Sequence, residues 1–431
     1  MTVSAWRRWR ATAITSVVDQ GVGSGGQFLF SVVLARWLPP AEYGTYALVF
    51  SYFLLLAGFQ SAIVVEPMNV LGPSRYRTRL RSYLATVVRA NLVVTSGLAL
   101  VCLLLARAVK PMWGISSEVL LGLAVLIPTM LLLWSCRQAC YVLRKPQLGL
   151  QSSVVYALGL VAALAVLHAM GREAPRAWLN AFGGMAVAAL AASLIVWPEV
   201  GRLHSDESPQ GFPVDHQTIV RQHWCYGRWI LVASAADWIG TGIYLPIVAG
   251  LLGLTASGGL RAMQNLILPL QQVVAGIGLL LLPWMAGEVV RRGAVPFLNT
   301  TARLVLLHAG LAGAYGLVLL AGQDHLIRLV YGHGYYDGLR WIVPLLVGGA
   351  IVKAATQPLA LAVRAVQWPA AVLAGNLATV AILLVAGLPL VRRLGVGGAA
   401  CGLMLGNLGE MTVLAYHMLR VRGRWAMIQR V

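Results

Sequence analysis

Apolar residues run through this chain in blocks long enough to cross a bilayer, and the polar positions fall between the blocks. Runs of 18 or more apolar residues recur, and a helix of about that length covers the ~30 Å hydrocarbon core. The pattern predicts twelve spans, near 14–37, 42–64, 82–106, 115–136, 149–170, 177–198, 224–249, 257–285, 298–321, 340–363, 368–390 and 396–419. The eighth carries Pro269 and Pro283, so a tilt or kink is expected there. The longest polar stretch, 199–222, is rich in Pro, Gly, Ser and Asp and reads as a linker. The expected organisation is a six-helix lobe over 1–198, a linker over 199–222 and a second six-helix lobe over 223–431.

The first span breaks its own pattern. Asp19, Gln20, Ser24 and Gln27 lie inside an otherwise apolar run, among Gly21, Gly23, Gly25 and Gly26. An ionisable group at that depth costs about 2.5–3.5 kcal/mol on insertion scales, so it should face other helices or a wet cavity. The run stops at Leu38-Pro39-Pro40. Its turn reads Ala35-x-x-Leu38-x-x-Ala41-x-x-Gly44, and a second turn reads Ala249-x-x-Leu252-x-x-Thr255-x-x-Gly258. Asp237 precedes the second turn as Asp19 precedes the first. An internal repeat in a chain of many spans is a transporter signature.

Charge then orients the chain. The 431 residues are 59% hydrophobic and 11% charged, with a formal net charge of +19. The basic residues sit in short segments between spans, where they meet anionic headgroups, so nucleic acid is not implied. With the N-terminus inside, and Arg36, Arg228 and Arg340 near span ends counted with the adjoining segments, twenty basic residues fall in inside segments, nine in outside segments and four in spans. That bias predicts both termini in the cytoplasm. The basic start, TVSAWRRWR, precedes a span with no small-residue cleavage site after it, so an uncleaved first helix is expected. No outside loop is long enough for a folded domain.

Few residues offer chemistry. Gly21 to Gly26 fits GxGxxG, but no strand precedes it, so nucleotide binding is not implied. No HExxH, Walker loop or GxSxG is present, and no enzyme, metal or cofactor is expected. The five cysteines read as packing, Cys136 and Cys140 sharing a helix face without a His or acid. His308 reads as a core histidine. The informative residues are ionisable groups in spans: Asp19, Arg89, Asp237, Arg261, Arg303, Lys353 and Glu410. Glu410 with Asn407 reads as a buried polar clamp. Arg89 and Arg303 lie at similar depth in the third and ninth spans. Arg binds phosphate oxygens in bidentate fashion, so these two, with Arg261 and Lys353, are candidates for an anion site. Asp19 and Asp237, with Gln20, Gln264 and Asn265, are candidates for polar cavity groups. The acids either carry a coupling H+ or Na+ or pair with the arginines.

Three stretches resemble one family. DQGVGSGGQFLFSVVLARWLPPAEYGTYAL is similar to the opening of Wzx-type polysaccharide (O-antigen and exopolysaccharide) flippases. GGLRAMQNLILPLQQVVAGIGLLLLP resembles their eighth helix, and LVYGHGYYDGLRWIVPLL the entry to the tenth. The family belongs to the superfamily of the multidrug-extruding MATE antiporters and the lipid II flippase. The resemblance implies an all-α, MATE-like protein of two six-helix lobes in the bacterial inner membrane. It implies movement of undecaprenyl-diphosphate-linked oligosaccharide to the outer leaflet, with membrane lipid, a polysaccharide polymerase and export machinery as partners. The alternatives are a MATE-like antiporter of small organic cations, which an acid-lined cavity would favour, and a membrane-embedded polymerase or ligase, which usually carries a large external loop.

Overall fold

The computed structural model describes residues 3–107, 116–171, 176–200, 215–291, 294–332, 334–366, 368 and 370–428. These residues are almost entirely helical, with no strand among them. They form two compact units, Met1–Ala235 and Ala236–Val431. The boundary falls inside a helix, beyond the expected linker. Residues 201–214 of that linker lie outside the described residues, and from His216 onward it is helical. The chain is a polytopic all-α membrane protein. Eight described helical stretches are long and apolar enough to cross a membrane, nine if one bent pair counts as a span. Among the described residues, each of the twelve expected spans falls largely on helix.

The first unit contains α1 (Val3–Trp37), α2 (Pro40–Gln60), α3 (Glu66–Arg75), α4 (Leu80–Leu105), α5 (Ser117–Val142), α6 (Pro146–Ala169), α7 (Ala177–Val200) and most of α8 (His216–Thr241). α2 and α3 are one path joined by a π-turn, Ser61–Val65. Pro67 explains it. Its ring has no N–H for the carbonyl of Ile63 and crowds it, and the helix widens until the Glu66 N–H reaches Ser61 O. His223 of α8 takes over the orphaned carbonyl, with Nδ1 at 2.9 Å from Ile63 O. α8 approaches this closely because residue 227 is glycine; a Cβ there would stand 2.3 Å from Ala62 O. The other ring nitrogen, Nε2, accepts from the Tyr83 hydroxyl at 2.7 Å, and Tyr83 stacks on Tyr76. Asp215 caps α8. The Thr218 hydroxyl and the N–H groups of Gln217 and Thr218 donate to it and hold its carboxyl below the usual range.

The second unit contains the end of α8, α9 (Tyr244–Leu252), α10 (Leu254–Asn265), α11 (Leu268–Arg291), α12 (Ala294–Tyr331), α13 (Val343–Ala365), α14 (Ala370–Ile382) and α15 (Leu388–Ile428). α8 and α9 meet at 44°, because Pro246 has no N–H for Gly242 O. α10 and α11 part just before Pro269, and the Leu266 carbonyl left there accepts from the Tyr315 hydroxyl at 2.5 Å. The eighth span is therefore broken before Pro269. α15 covers the end of the eleventh span and all of the twelfth. The break lies at Gly395, whose φ of 60° and ψ of −133° suit glycine and few other residues.

The repeat of the turn is structural. α1 ends at Trp37 and Pro40 starts α2, while α9 ends at Leu252 and Leu254 starts α10, so the second helices begin in one register. In that register Asp19 corresponds to Ala233. Asp237 stands one turn later, at the position of Gly23.

Candidate functional site

α1 packs on α6, with Gly26 against Ala157, and Asp19 is fully buried. Its partners come from α5. Arg137 Nη2 lies 2.9 Å from Asp19 Oδ2, and the Tyr141 hydroxyl donates to the same oxygen. Arg137 and Tyr141 are one turn apart, so they share a helix face. Arg137 is itself only 16% exposed. Gly149 on α6 lies against the carboxylate. Both bonds fall on Oδ2. Asp19 Oδ1 and Arg137 Nε are buried without a hydrogen-bond partner among the described residues. A carboxylate with one oxygen held and one uncommitted can take up a proton or a small cation on the second oxygen while the first keeps its hydrogen bonds; a proton there would discharge the pair.

Arg137 corrects the sequence reading, which placed it in the segment after the fourth span. α5 continues to Val142, so the guanidinium is inside the helix. The signal was the spacing of Arg137 and Tyr141 beside an apolar run, but nothing local pointed to Asp19, 122 residues from Tyr141.

The second unit holds a comparable pair. Lys353 Nζ on α13 lies 2.7 Å from Glu410 Oε2 on α15. One turn earlier on α15, Asn407 Nδ2 donates to Gly349 O at 3.0 Å. The two bonds form a ladder between the helices, so the clamp expected of Asn407 and Glu410 extends to Lys353. The Lys353 charge is matched in this structure, and an anion would have to exchange with Glu410 to reach it. Each unit thus carries a basic residue on its fourth span, paired to an acid of the same unit.

The other expected residues do not join these pairs. Gln20 is exposed, and its Nε2 donates to Ser24 Oγ at 3.2 Å. Gln27, one face further along α1, accepts from Tyr156 and donates to Tyr46, a clamp on α6 and α2. Asp237 is exposed, unlike Asp19, consistent with its later register. Arg261 and Gln264 are half-buried and Asn265 buried in the last turns of α10. Arg89 is half-buried on α4. Arg303 is exposed on the face of α12 that also exposes Leu306, Leu307, Leu317 and Val318. That face suits a side chain that extends to headgroups. His308 is a core histidine, with Nδ1 on Leu304 O at 2.8 Å. Among the described residues, no group of three His, Cys, Asp or Glu could hold a metal.

The sequence matches the family model of the polysaccharide biosynthesis proteins over residues 9–287, more than half of the chain. The chain belongs to this family, the Wzx-type flippases of the MOP superfamily. No curated protein matches the sequence. Among solved structures, an inward-facing multidrug resistance MATE transporter superposes with a TM-score of 0.72 at 12% identity, over 97% of this chain and 99% of that one. The lipid II flippase MurJ, in an inward closed conformation, gives 0.68 at 11% identity, over 97% and 91%. A MOP superfamily transporter from Pyrococcus furiosus, described by the reverse polarity of its binding pocket, gives 0.63 at 12%, over 97% and 96%. At this identity the likenesses show the fold. Family and fold neighbours are flippases and transporters, not enzymes. This polysaccharide biosynthesis protein is accordingly a multi-pass flippase or transporter of the MOP superfamily.

Proposed function

We propose that this protein carries undecaprenyl-diphosphate-linked oligosaccharide repeat units from the inner to the outer leaflet of the bacterial inner membrane, by alternating access. The observation that carries the reading is a polysaccharide-family sequence on a flippase and exporter fold. The charge at span depth supports it. Away from the span ends Arg89, Arg261, Arg303 and Lys353 stand against Asp19, Asp237 and Glu410; the observed helices add Arg137 on α5 and the buried Glu288 on α11. That balance suits an anion better than an organic cation. Arg89 and Arg261 meet the diphosphate, Lys353 does so on release from Glu410, and Arg303 serves at the headgroup level. Gln264 and Asn265 are polar groups beside Arg261. The Asp19–Arg137 pair is the site of ion coupling, through Oδ1, with H+ or Na+ as the ion. Asp237 is a second polar group open to an ion. A polymerase and export machinery act downstream.

Deletion of the gene followed by lipid analysis tests the reading. The expected result is accumulation of an undecaprenyl-linked repeat unit facing the cytoplasm, restored to normal by the wild-type gene. Unchanged lipids with new sensitivity to organic cations would overturn it in favour of a cation antiporter. In the same assay, full complementation by the Arg89→Ala, Arg303→Ala double variant would remove both arginines from the substrate path.

A further inference from the structure

The first unit has a half-open pocket of about 420 Å³ where α3, the turn after it, the start of α4 and the end of α5 come together. Its polar lining is Asn69, Arg77, Tyr141 and Arg144, and Pro73 and Leu80 contribute apolar wall. No acid is among the lining residues. The neighbouring acid, Glu199, is taken by Lys145 at 2.7 Å and by Arg81 at 3.8 Å. Arg77 and Arg144 have no ion pair among the described residues. The Asn69 side chain is oriented by Gln138, whose Nε2 donates to Asn69 Oδ1 at 2.9 Å. That leaves the amide N–H groups of Asn69 as donors.

Arg144 is held in an unusual way. Its φ is 58°, a conformation that glycine adopts freely and other residues adopt at a cost. It occupies the left-handed position of a helix C-cap. Its own N–H bonds Tyr141 O at 3.0 Å, and the Lys145 N–H bonds Cys140 O at 2.8 Å. The cap requires that backbone but gives no reason for an arginine. The side chain accounts for it: with Arg77 it lines a pocket in which nothing balances the two charges.

We infer that this pocket is the entry site for the substrate's diphosphate, bound by Arg77 and Arg144 before it reaches the deeper cations. Two guanidinium groups neutralise about two negative charges and offer planar forks to the phosphate oxygens, and Asn69 adds a neutral donor. The wall formed by Tyr141 connects the pocket to the ion pair, because the hydroxyl that bonds Asp19 belongs to a pocket-lining residue. The inference rests on the flippase reading for the source of the diphosphate. The same chemistry would also hold a bulk phospholipid headgroup, and the test separates the two.

The full-length protein is purified in detergent, and binding of radiolabelled farnesyl diphosphate is measured, with unlabelled inorganic pyrophosphate or phosphatidylglycerol nanodiscs as competitors. Pyrophosphate should displace the label and phosphatidylglycerol should not. The Arg77→Gln, Arg144→Gln double variant should bind at least tenfold more weakly. The Lys, Lys double variant should be intermediate, and an Arg107→Ala control should match the wild type. Equal displacement by phosphatidylglycerol would make this a general headgroup site and overturn the inference. So would unchanged affinity in the Gln double variant, or in Asn69→Ala combined with Arg77→Gln if the first pair does not accumulate. The binding result is independent of the gene deletion. A deletion strain with normal lipids would remove the flippase reading while leaving a measured diphosphate site in place.

Discussion

Asp19 shows how a single buried charge is tolerated. It is fully buried, and its cost is offset by Arg137 at 2.9 Å and by the Tyr141 hydroxyl. Removing one partner of such a pair strands the other and typically costs about 3–5 kcal/mol, whereas neutralising both costs far less. Arg137→Ala should therefore lower thermal stability markedly, and Asp19→Asn combined with Arg137→Gln should recover most of it. Transport separates structure from coupling. If Asp19 carries the ion, the stable double variant loses the dependence of flipping on the H+ or Na+ gradient. A double variant whose flipping still tracks the gradient would remove Asp19 from coupling. The pair also marks a limit of reading the chain. Asp19 was conspicuous in the sequence because an acid in an apolar run needs a partner. Which partner it takes depends on how α1 and α5 pack, and no spacing along the chain encodes that.

Helices were more legible than their interiors. The apolar blocks gave each span because about 20 residues are needed to cross hydrocarbon and the chain supplies little else. The break before Pro269 in the eighth span was visible for the same kind of reason: a proline has no N–H for the carbonyl one turn back. The π-turn before Glu66 was not visible, although Pro67 was, because the widening is stabilised by His223 from a distant helix. Between α13 and α15 the Lys353–Glu410 bond and the Asn407–Gly349 bond act as one ladder. Lys353→Met should leave Glu410 buried without its cation and cost about 3–5 kcal/mol. Adding Glu410→Leu should restore stability if the ladder is only structural. A doubly substituted protein that is stable yet inactive in polysaccharide export would place Lys353 in transport; one that is stable and fully active would confine the pair to packing.

At the scale of the whole molecule, the repeat and the charge bias constrain the protein in different ways. The repeated turn begins α2 at Pro40 and α10 at Leu254 in one register, so the two halves share a plan. The side chains have diverged on it: Asp19 is buried in one half, while Asp237 stands a turn out of register and exposed in the other. The charge bias is a separate property, because topology depends on basic residues flanking the spans and not on the repeat. Moving Arg137 from a loop to the interior of α5 takes the inside count from twenty to nineteen (20 − 1), against nine outside. The asymmetry survives the correction, so we expect both termini and the 199–222 segment on the cytoplasmic side. In a variant lacking the five native cysteines, a cysteine at Ser208 should react with a membrane-impermeant maleimide only after the cells are opened. A cysteine at Arg107 should react from outside intact cells. Labelling of position 208 in intact cells would invert the topology. It would also place Arg77 and Arg144 on the side where the undecaprenyl-linked unit leaves, making the pocket an exit site.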